Sequence, residues 1–379
     1  MLSAVRTSTN LCVRIRASDG PIRHPVNLAL LVDTSDSMSA GRLDAVKKTL
    51  VAARSLLRDT DTITLVTFGT EATIVIPTLQ LDAIGMDQFY EAVAAIQTDG
   101  MTNMSAGLEA LAATKATYHA LVILTDGCVN QGIMTTEGLR SMALGVAGQL
   151  PIHTLGYGAD HNRELLRDLA MRSRGTYTYV SSDEMLPLVM GDVIEGLRSQ
   201  VLTGAELRVP AGWVCQEFDG DGNRYRVGDV VPDRDYWVVF ASSEPQDGTI
   251  FLTAKEGGWE LDRVPISSCQ DVREQVMRCR VAQAIVATTN LMERGFDTHI
   301  TVKALLREFD DMTDAEKQRP LMLRMRAQLE EIMEVDVTNE SMARISAGGA
   351  NLATQRGGGF SSPAQLDTST RLSIEYSAV

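Results

Sequence analysis

The run Val26–Val32 is apolar at six of its seven positions, and Asp33-Thr34-Ser35-Asp36-Ser37 follows it directly. A near-continuous apolar run of this length predicts a strand covered on both faces, as in parallel sheets. A carboxylate and two hydroxyls at alternate positions are hard oxygen ligands aimed at one point, which suits Mg²⁺ or Mn²⁺. The same residues are also typical of a turn that caps the next helix. This segment alone therefore leaves both interpretations open.

The pattern over residues 25–200 alternates strands with amphipathic helices, which predicts an α/β fold with a doubly wound, mostly parallel sheet. The predicted strands are Val26–Val32, Thr62–Phe68, Ala72–Ile76, Ala120–Thr125, Ile152–Tyr157 and Thr176–Val180. Thr62–Phe68 and Ala72–Ile76 are joined through Gly69-Thr70, and this short link predicts a hairpin that gives the sheet one antiparallel edge strand.

Two further loops carry polar side chains next to predicted elements of this sheet. The apolar run Leu121–Leu124 leads into Thr125-Asp126-Gly127, and Thr102 lies in a loop that enters a helix. In an open parallel sheet, ligands bind outside the carboxyl ends of the strands. We therefore expect Asp33, Thr102 and Asp126 to face the same edge.

The order DxSxS, then a single Thr, then TDG resembles the metal-ion-dependent adhesion site of von Willebrand factor A domains. The resemblance covers about residues 25–200 and matches all five ligand positions of that site. It implies the fold just described and a bound Mg²⁺ (or Mn²⁺). It also implies a protein partner that offers a Glu or Asp to the open coordination position of the metal.

The resemblance assigns a role to each of five side chains. Ser35 and Ser37 are expected to ligate the cation directly through their hydroxyls. Thr102 is expected to ligate it directly in the high-affinity state, and Asp33 and Asp126 directly or through water.

Two positions depart from the family pattern. Asp36 stands where Gly is most frequent, and Met101 stands where a small residue is frequent before the Thr. Asp36 adds negative charge beside the site. The sequence leaves open whether that charge helps to retain the cation or repels an acidic partner.

Outside residues 25–200 the pattern changes several times. Val-, Trp- and Tyr-rich runs over residues 201–267 predict an additional antiparallel β domain resembling a sandwich. Residues 1–24 are predicted to add Leu11–Arg16 as an edge strand to that domain, residues 268–345 to form a C-terminal helical region, and residues 346–379 to form a flexible or strand-forming tail.

Composition limits the function classes. The chain has 379 residues, 44% of them hydrophobic, and a net charge of −14. An acidic surface argues against nucleic acid as a partner, and the sequence has no apolar run of about 18 residues that would insert into a membrane. Five scattered cysteines without a CxxC pair are typical of reduced thiols, and Met1–Arg6 does not resemble a signal peptide. We therefore expect a cytoplasmic protein.

The primary hypothesis is a metal-dependent protein-interaction or scaffold module with no enzymatic activity. A second hypothesis is a self-assembling structural protein, a possible homo-oligomer, whose tail docks in trans through Asp367 or Glu375. A third is a metal-assisted hydrolase with Asp36 or His161 as its base.

Overall fold

The computed structural model describes most of the chain. The described residues are 2–18, 25–39, 41–218, 220–262, 264, 266, 270–292, 294, 296, 299–334, 338–355 and 377. They form two compact units: an α/β unit within residues 22–199, and a second unit within residues 1–21 and 200–360. Asp367 and Glu375, named in the self-assembly hypothesis, lie outside the described residues.

The elements are numbered in chain order. The strands are β1 (Leu2–Arg6), β2 (Asn10–Arg16), β3 (Asn27–Asp33), β4 (Thr62–Phe68), β5 (Ala72–Gln80), β6 (Ala120–Thr125), β7 (Ile152–Tyr157), β8 (Tyr177–Val180), β9 (Leu202–Arg208), β10 (Val214–Cys215), β11 (Arg224–Val230), β12 (Asp235–Ala241), β13 (Ile250–Ala254) and β14 (Gly257–Leu261). The helices are α1 (Arg42–Ala53), α2 (Ala83–Ala95), α3 (Met104–Ala113), α4 (Thr136–Ala147), α5 (Arg163–Ser173), α6 (Met185–Arg198), α7 (Gln270–Met292), α8 (His299–Asp310), α9 (Asp314–Lys317), α10 (Pro320–Glu334) and α11 (Asn339–Thr354).

The α/β unit is built on a six-stranded sheet in the order β5-β4-β3-β6-β7-β8. All neighbouring strands are parallel except β5, which pairs antiparallel with β4. The predicted fold class, including the antiparallel edge strand, is confirmed. The order places β3 and β6 side by side at the centre, so the residues that follow these two strands emerge at the same edge.

Helices cover both faces of this sheet. On β3, Leu28 and Leu30 share one core with side chains of α1, α2 and α6. Leu31 points to the other face of the strand, where a Cβ built on Gly107 of α3 would lie only 2.8 Å from the Leu31 side chain. Because successive strand residues point to opposite faces, this alternation explains why β3 is apolar almost throughout.

The second unit contains two four-stranded antiparallel sheets, ordered β1-β2-β12-β10 and β11-β9-β13-β14. Side chains of both sheets contribute to one core, as in a sandwich. Helix α7 packs on the first sheet through Cys12, Val239, Val272 and Cys279. The contacts therefore join the predicted β domain and the predicted helical region in one unit.

Two predictions for this unit are wrong. Leu11–Arg16 belongs to an inner strand, because β1 forms a hairpin outside it and β12 pairs on its other side. The predicted tail over residues 346–379 also does not begin at residue 346, because α11 continues to Thr354. The part of that tail beyond residue 355 lies outside the described residues, apart from residue 377. A Cβ on Gly349 would lie 2.6 Å from Ile285 Cγ2, so the glycine allows α11 to approach α7 closely. Burial of that face outweighs the low helix propensity of glycine.

Candidate metal centre

The carboxyl edge of the α/β sheet brings three polar loops together. Asp33 is the last residue of β3, and the turn that follows it carries Ser35 and Ser37. Asp126 follows β6, the parallel neighbour of β3, and Thr102 lies two residues before α3. All but Ser37 are buried, with exposed fractions of 3% or less. Ser37 is exposed, so the cluster opens to solvent on its side.

Oxygens of the loop after β3 are hydrogen-bonded to an oxygen of the loop after β6. Ser35 Oγ and Ser37 Oγ lie 3.0 Å apart, and Ser37 Oγ donates to Asp126 Oδ1 at 2.6 Å. Asp33 Oδ1 accepts the Ser35 backbone N–H at 2.9 Å, and Asp33 Oδ2 accepts the Thr125 hydroxyl at 2.5 Å. These bonds hold the two carboxylates at the carboxyl ends of β3 and β6.

Thr102 is held beside them by the loop after β6. Its N–H donates to Asn130 Oδ1 at 2.8 Å, and its carbonyl accepts the Asn130 N–H at 3.1 Å. A Cβ placed on Gly127 would lie 3.5 Å from Ser37 Oγ and 3.8 Å from Thr102 Oγ1. The hydroxyls of Ser37 and Thr102 therefore both border the space beside Gly127.

This donor set fits a small divalent cation. In an octahedron with metal–oxygen bonds of about 2.1 Å, adjacent ligands are about 3.0 Å apart. The oxygens of Ser35, Ser37 and Asp126 are hydrogen-bonded at 2.6–3.0 Å, a spacing that is also compatible with ligation of one small cation. The described residues contain no group of three or more His, Cys, Asp or Glu side chains placed to hold a metal ion, so ligation here would depend on hydroxyls as well as carboxylates. Hydroxyl and carboxylate donors favour Mg²⁺ or Mn²⁺ over softer metals.

The charged form of Asp33 is unfavourable in its buried position, and a bound cation would stabilise it. Burial raises the pKa of Asp33 above its usual value, because desolvation disfavours the charged carboxylate. Hydrogen bonds from Ser35 and Thr125 act in the opposite direction, and the negative charge of Asp126 adds a smaller upward contribution. A divalent ion between the two carboxylates would remove their mutual repulsion.

Arg42, the first residue of α1, places a positive charge against the cluster. Its Nη1 donates to Asp126 Oδ2 at 2.5 Å and to the Ser37 carbonyl at 3.4 Å. Its guanidinium lies 5.7 Å from the centre of the Tyr157 ring. Arg42 therefore orients Asp126 and leaves Oδ1 directed toward Ser37.

Asp36 connects the first loop to the loop that carries Thr102. Its N–H donates to the Gly100 carbonyl at 2.9 Å, and its Oδ1 accepts the Gly100 N–H at 3.2 Å. A further bond joins the Asp99 N–H to the Thr34 carbonyl at 2.6 Å. The Asp36 side chain is exposed and braces this loop two residues before Thr102.

His161 has no free nitrogen for acid–base chemistry. Its Nδ1 donates to the Gly158 carbonyl at 2.8 Å, so Nε2 accepts the Tyr177 hydroxyl at 2.6 Å. The residue is 3% exposed. His161, one of the two bases named in the hydrolase hypothesis, is thus a structural histidine, held in one neutral tautomer by its two partners.

Burial lowers the pKa of His161 to about 4, against an ordinary value of 6.5. The unfolded chain binds a proton between these values while the folded protein does not, so stability is lost as the pH falls through this range. We expect the free energy of unfolding of the α/β unit to decrease by about 2 kcal/mol between about pH 7 and about pH 5 from this residue. Urea unfolding followed by circular dichroism at both pH values measures it. In His161→Gln the decrease should be smaller by that amount, and an unchanged pH dependence would contradict the assignment.

The structure brings Asp33, Ser35, Ser37 and Asp126 together and places Thr102 at their border. Sequence reasoning missed two groups that organise them. One is the Arg42 guanidinium, and the only sequence signal for it is a basic residue at the start of the helix after DxSxS. The other is Asn130, for which the sequence offers no signal.

Comparison with known proteins identifies relatives of this region. Residues 26–179 match the family model described as von Willebrand factor type A domain. The inter-alpha-trypsin inhibitor heavy chain H3 of Homo sapiens is 24% identical over 297 residues, which cover 73% of this chain and 33% of that protein. The heavy chain H4 of the same organism is 23% identical over 328 residues, covering 83% and 34%. The chain thus spans about a third of the length of these relatives.

Two solved structures resemble the chain over nearly its whole length. A von Willebrand factor type A protein from Catenulispora acidiphila has a TM-score of 0.70 at 18% identity, covering 92% of this chain and 93% of its own. The ArnB paralog VWA2 from Sulfolobus acidocaldarius has a TM-score of 0.64 at 14% identity, covering 94% and 99%. These likenesses show the fold. No helix among the described residues is both long and apolar enough to cross a membrane.

Proposed function

We propose that the von Willebrand factor type A domain formed by residues 26–179 binds a protein partner through a divalent cation. Mg²⁺ or Mn²⁺ would be held by Asp33, Ser35, Ser37, Thr102 and Asp126. The cation would supply an electrophilic position open to a carboxylate of the partner. The protein would act as an interaction or scaffold module without chemistry of its own.

One observation carries this proposal. Ser37 Oγ, in the loop after β3, lies 2.6 Å from Asp126 Oδ1, after β6, and 3.0 Å from Ser35 Oγ, so hydroxyl and carboxylate oxygens of two loops converge at one end of the sheet. Ser37 leaves the cluster open on one side, which gives a partner group access.

The charges around the cluster make partner binding conditional on the cation. Exposed acidic side chains lie in the loops that follow β3, β7 and β8 at the same edge of the sheet: Asp36, Asp160, Asp183 and Glu184. The negative charge of these side chains attracts cations and repels carboxylates. A partner's Glu or Asp would therefore gain binding energy only where the metal reverses the local charge.

The hydroxyl of Thr102 provides a test that leaves the charge of the site unchanged. Thr102→Val is expected to lower the Mg²⁺ affinity at least about tenfold, because a direct ligand is lost. Isothermal titration calorimetry with MgCl₂ and MnCl₂ measures this affinity. Thr73→Val, at an exposed position on β5, is the matched control and should bind like the unmodified protein. Absence of Mg²⁺ and Mn²⁺ uptake by the unmodified protein would refute the metal site.

Partner binding is tested separately with the unmodified protein as bait. Partners captured in the presence of Mg²⁺ should be released by EDTA, and mass spectrometry would identify them. Partners retained equally well in EDTA would show that binding does not depend on the cation.

A further inference from the structure

The positive charge of Arg42 contacts a carboxylate that the proposed cation would share. Arg42 Nη1 donates to Asp126 Oδ2 at 2.5 Å, whereas Ser37 Oγ donates to the other oxygen, Oδ1, at 2.6 Å. The Asp126 side chain is 0% exposed, and the Arg42 side chain is 39% exposed. Because the carboxylate is shielded from water, it interacts strongly with any charge that contacts it.

Contacts with the end of β7 hold the Arg42 guanidinium beside this carboxylate. Its carbon Cζ lies 5.7 Å from the centre of the ring of Tyr157, the last residue of β7. A Cβ on Gly158, whose φ is +72°, would lie 3.4 Å from Arg42 Nη2, so the guanidinium packs against the backbone of that turn. The Ser37 carbonyl accepts a further bond from Nη1 at 3.4 Å. Several contacts thus hold the Arg42 side chain at the site.

An arginine on a metal-binding carboxylate can act in two opposite ways. It can position the carboxylate, which increases the affinity for the cation, or it can repel the cation as a like charge, which decreases that affinity. Asp126 has supports other than Arg42, because the Ser37 hydroxyl bonds to its Oδ1 and the residue directly follows β6. Removal of Arg42 would leave these supports in place, so repulsion is the larger effect.

We propose that Arg42 lowers the affinity of the site for its divalent cation, because the two positive groups neutralise the same carboxylate. The inference rests on the proposed function, since it concerns the cation of that site. A lower affinity makes occupancy of the site depend on the free cation concentration. Arg42 would thereby make binding of the partner reversible.

Arg42→Gln tests the inference by isothermal titration calorimetry with MgCl₂. The variant is expected to bind Mg²⁺ at least about tenfold more tightly, because a like charge beside the cation is removed. In EDTA the same variant should be less stable to urea, because the buried Asp126 carboxylate loses its counterion. Saturating MgCl₂ should therefore stabilise Arg42→Gln more than it stabilises the unmodified protein.

Three further variants separate the charge of Arg42 from general effects. Lys48→Gln removes one positive charge from an exposed position on the same helix and should bind Mg²⁺ like the unmodified protein. Arg42→Lys keeps the charge, so its Mg²⁺ affinity should stay closer to that of the unmodified protein than to that of Arg42→Gln. Arg42→Met removes the charge but keeps an unbranched side chain next to Tyr157. It should also bind Mg²⁺ more tightly, and it guards against misfolding of Arg42→Gln.

Asp183 provides an independent readout of the same charge. It is an exposed residue after β8, it accepts a hydrogen bond from the Tyr157 hydroxyl, and it interacts electrostatically with Arg42. Its negative charge offsets part of the positive charge of Arg42. Asp183→Asn should therefore lower the Mg²⁺ affinity more in the unmodified protein than in Arg42→Gln, and this difference measures the coupling of the two residues.

The outcomes distinguish this inference from the proposed function. Unchanged or weaker Mg²⁺ binding by Arg42→Gln and Arg42→Met would overturn the inference, because Arg42 would then only position Asp126, and would leave the metal-dependent function standing. Mg²⁺ uptake by these variants but not by the unmodified protein would support the inference and refute the proposed function. Absence of uptake by all three proteins would overturn both.

Discussion

Replacing Asp33 with asparagine is expected to lower the Mg²⁺ affinity by more than about 100-fold, because a full negative charge next to a divalent ion is lost. The same change should raise the stability of the metal-free protein. The pKa of Asp33 is raised mainly by burial, so at neutral pH the charged carboxylate is a net cost to the folded state. Asparagine still accepts the Ser35 N–H and can donate to the Thr125 hydroxyl, which keeps both neighbours bonded. Calorimetry gives the affinity, and urea unfolding in EDTA gives the stability.

Asp36→Asn is the matched control for this variant. It removes the same charge from the same loop, while the side chain still accepts the Gly100 N–H. Its exposed position allows only a small change in Mg²⁺ affinity, since solvent and salt screen exposed charges. Equal losses in the two variants would mean that the net charge of the loop, and not ligation by Asp33, determines the affinity. A lower stability of metal-free Asp33→Asn would contradict the electrostatic cost assigned to the buried carboxylate.

Asp33→Asn is expected to have opposite effects on Mg²⁺ affinity and on stability, which is typical of functional sites. A residue kept only for folding would not retain a buried charge that opposes folding. A measured gain in stability would therefore be evidence for function that does not depend on knowing the partner.

The central sheet and the convergence of the site could be predicted from the sequence because both depend on local patterns. Apolar runs mark β3 and β6, and polar residues follow each of them directly. Once strands are parallel and adjacent, topology alone brings Asp33 and Asp126 to one edge. The strand order itself, with β3 beside β6, is seen only in the structure.

The groups that organise the site could not be predicted in the same way. The ion pair of Arg42 with Asp126 spans 84 positions and depends on the direction in which α1 leaves its turn. The sequence leaves open whether the Asp36 side chain points toward the cation or toward a partner. In the structure its orientation is set by the hydrogen bond from the Gly100 N–H. The extent of α11 depends on packing against α7, which overrides the local signal of the glycines near residue 348. In each case a contact distant in sequence outweighs the local pattern.

A buried ion pair in the second unit connects several of its elements. Arg278 of α7 and Glu217 have side chains that are 0% and 2% exposed, and they lie 2.5 Å apart. Arg278 also donates to the carbonyls of Leu352 at 2.9 Å and Trp237 at 3.3 Å, while Glu217 accepts the Val239 N–H at 2.9 Å. The pair thus ties α7 to β12 and α11. Its charges are compensated only while both partners are present.

Glu217→Ala is expected to destabilise the second unit by about 3–5 kcal/mol, because it leaves the Arg278 charge buried without a counterion. All three tryptophans, Trp213, Trp237 and Trp259, lie in this unit, so urea unfolding followed by tryptophan fluorescence reports on it selectively. The double variant Glu217→Ala/Arg278→Met should recover much of the loss, since no unpaired charge remains. A double variant as unstable as Glu217→Ala would show that the hydrogen bonds of the pair, rather than its charge balance, hold α7 on the sheet. Mg²⁺ should not shift this fluorescence transition if the cation binds only to the α/β unit, because ligands stabilise only the unit that binds them.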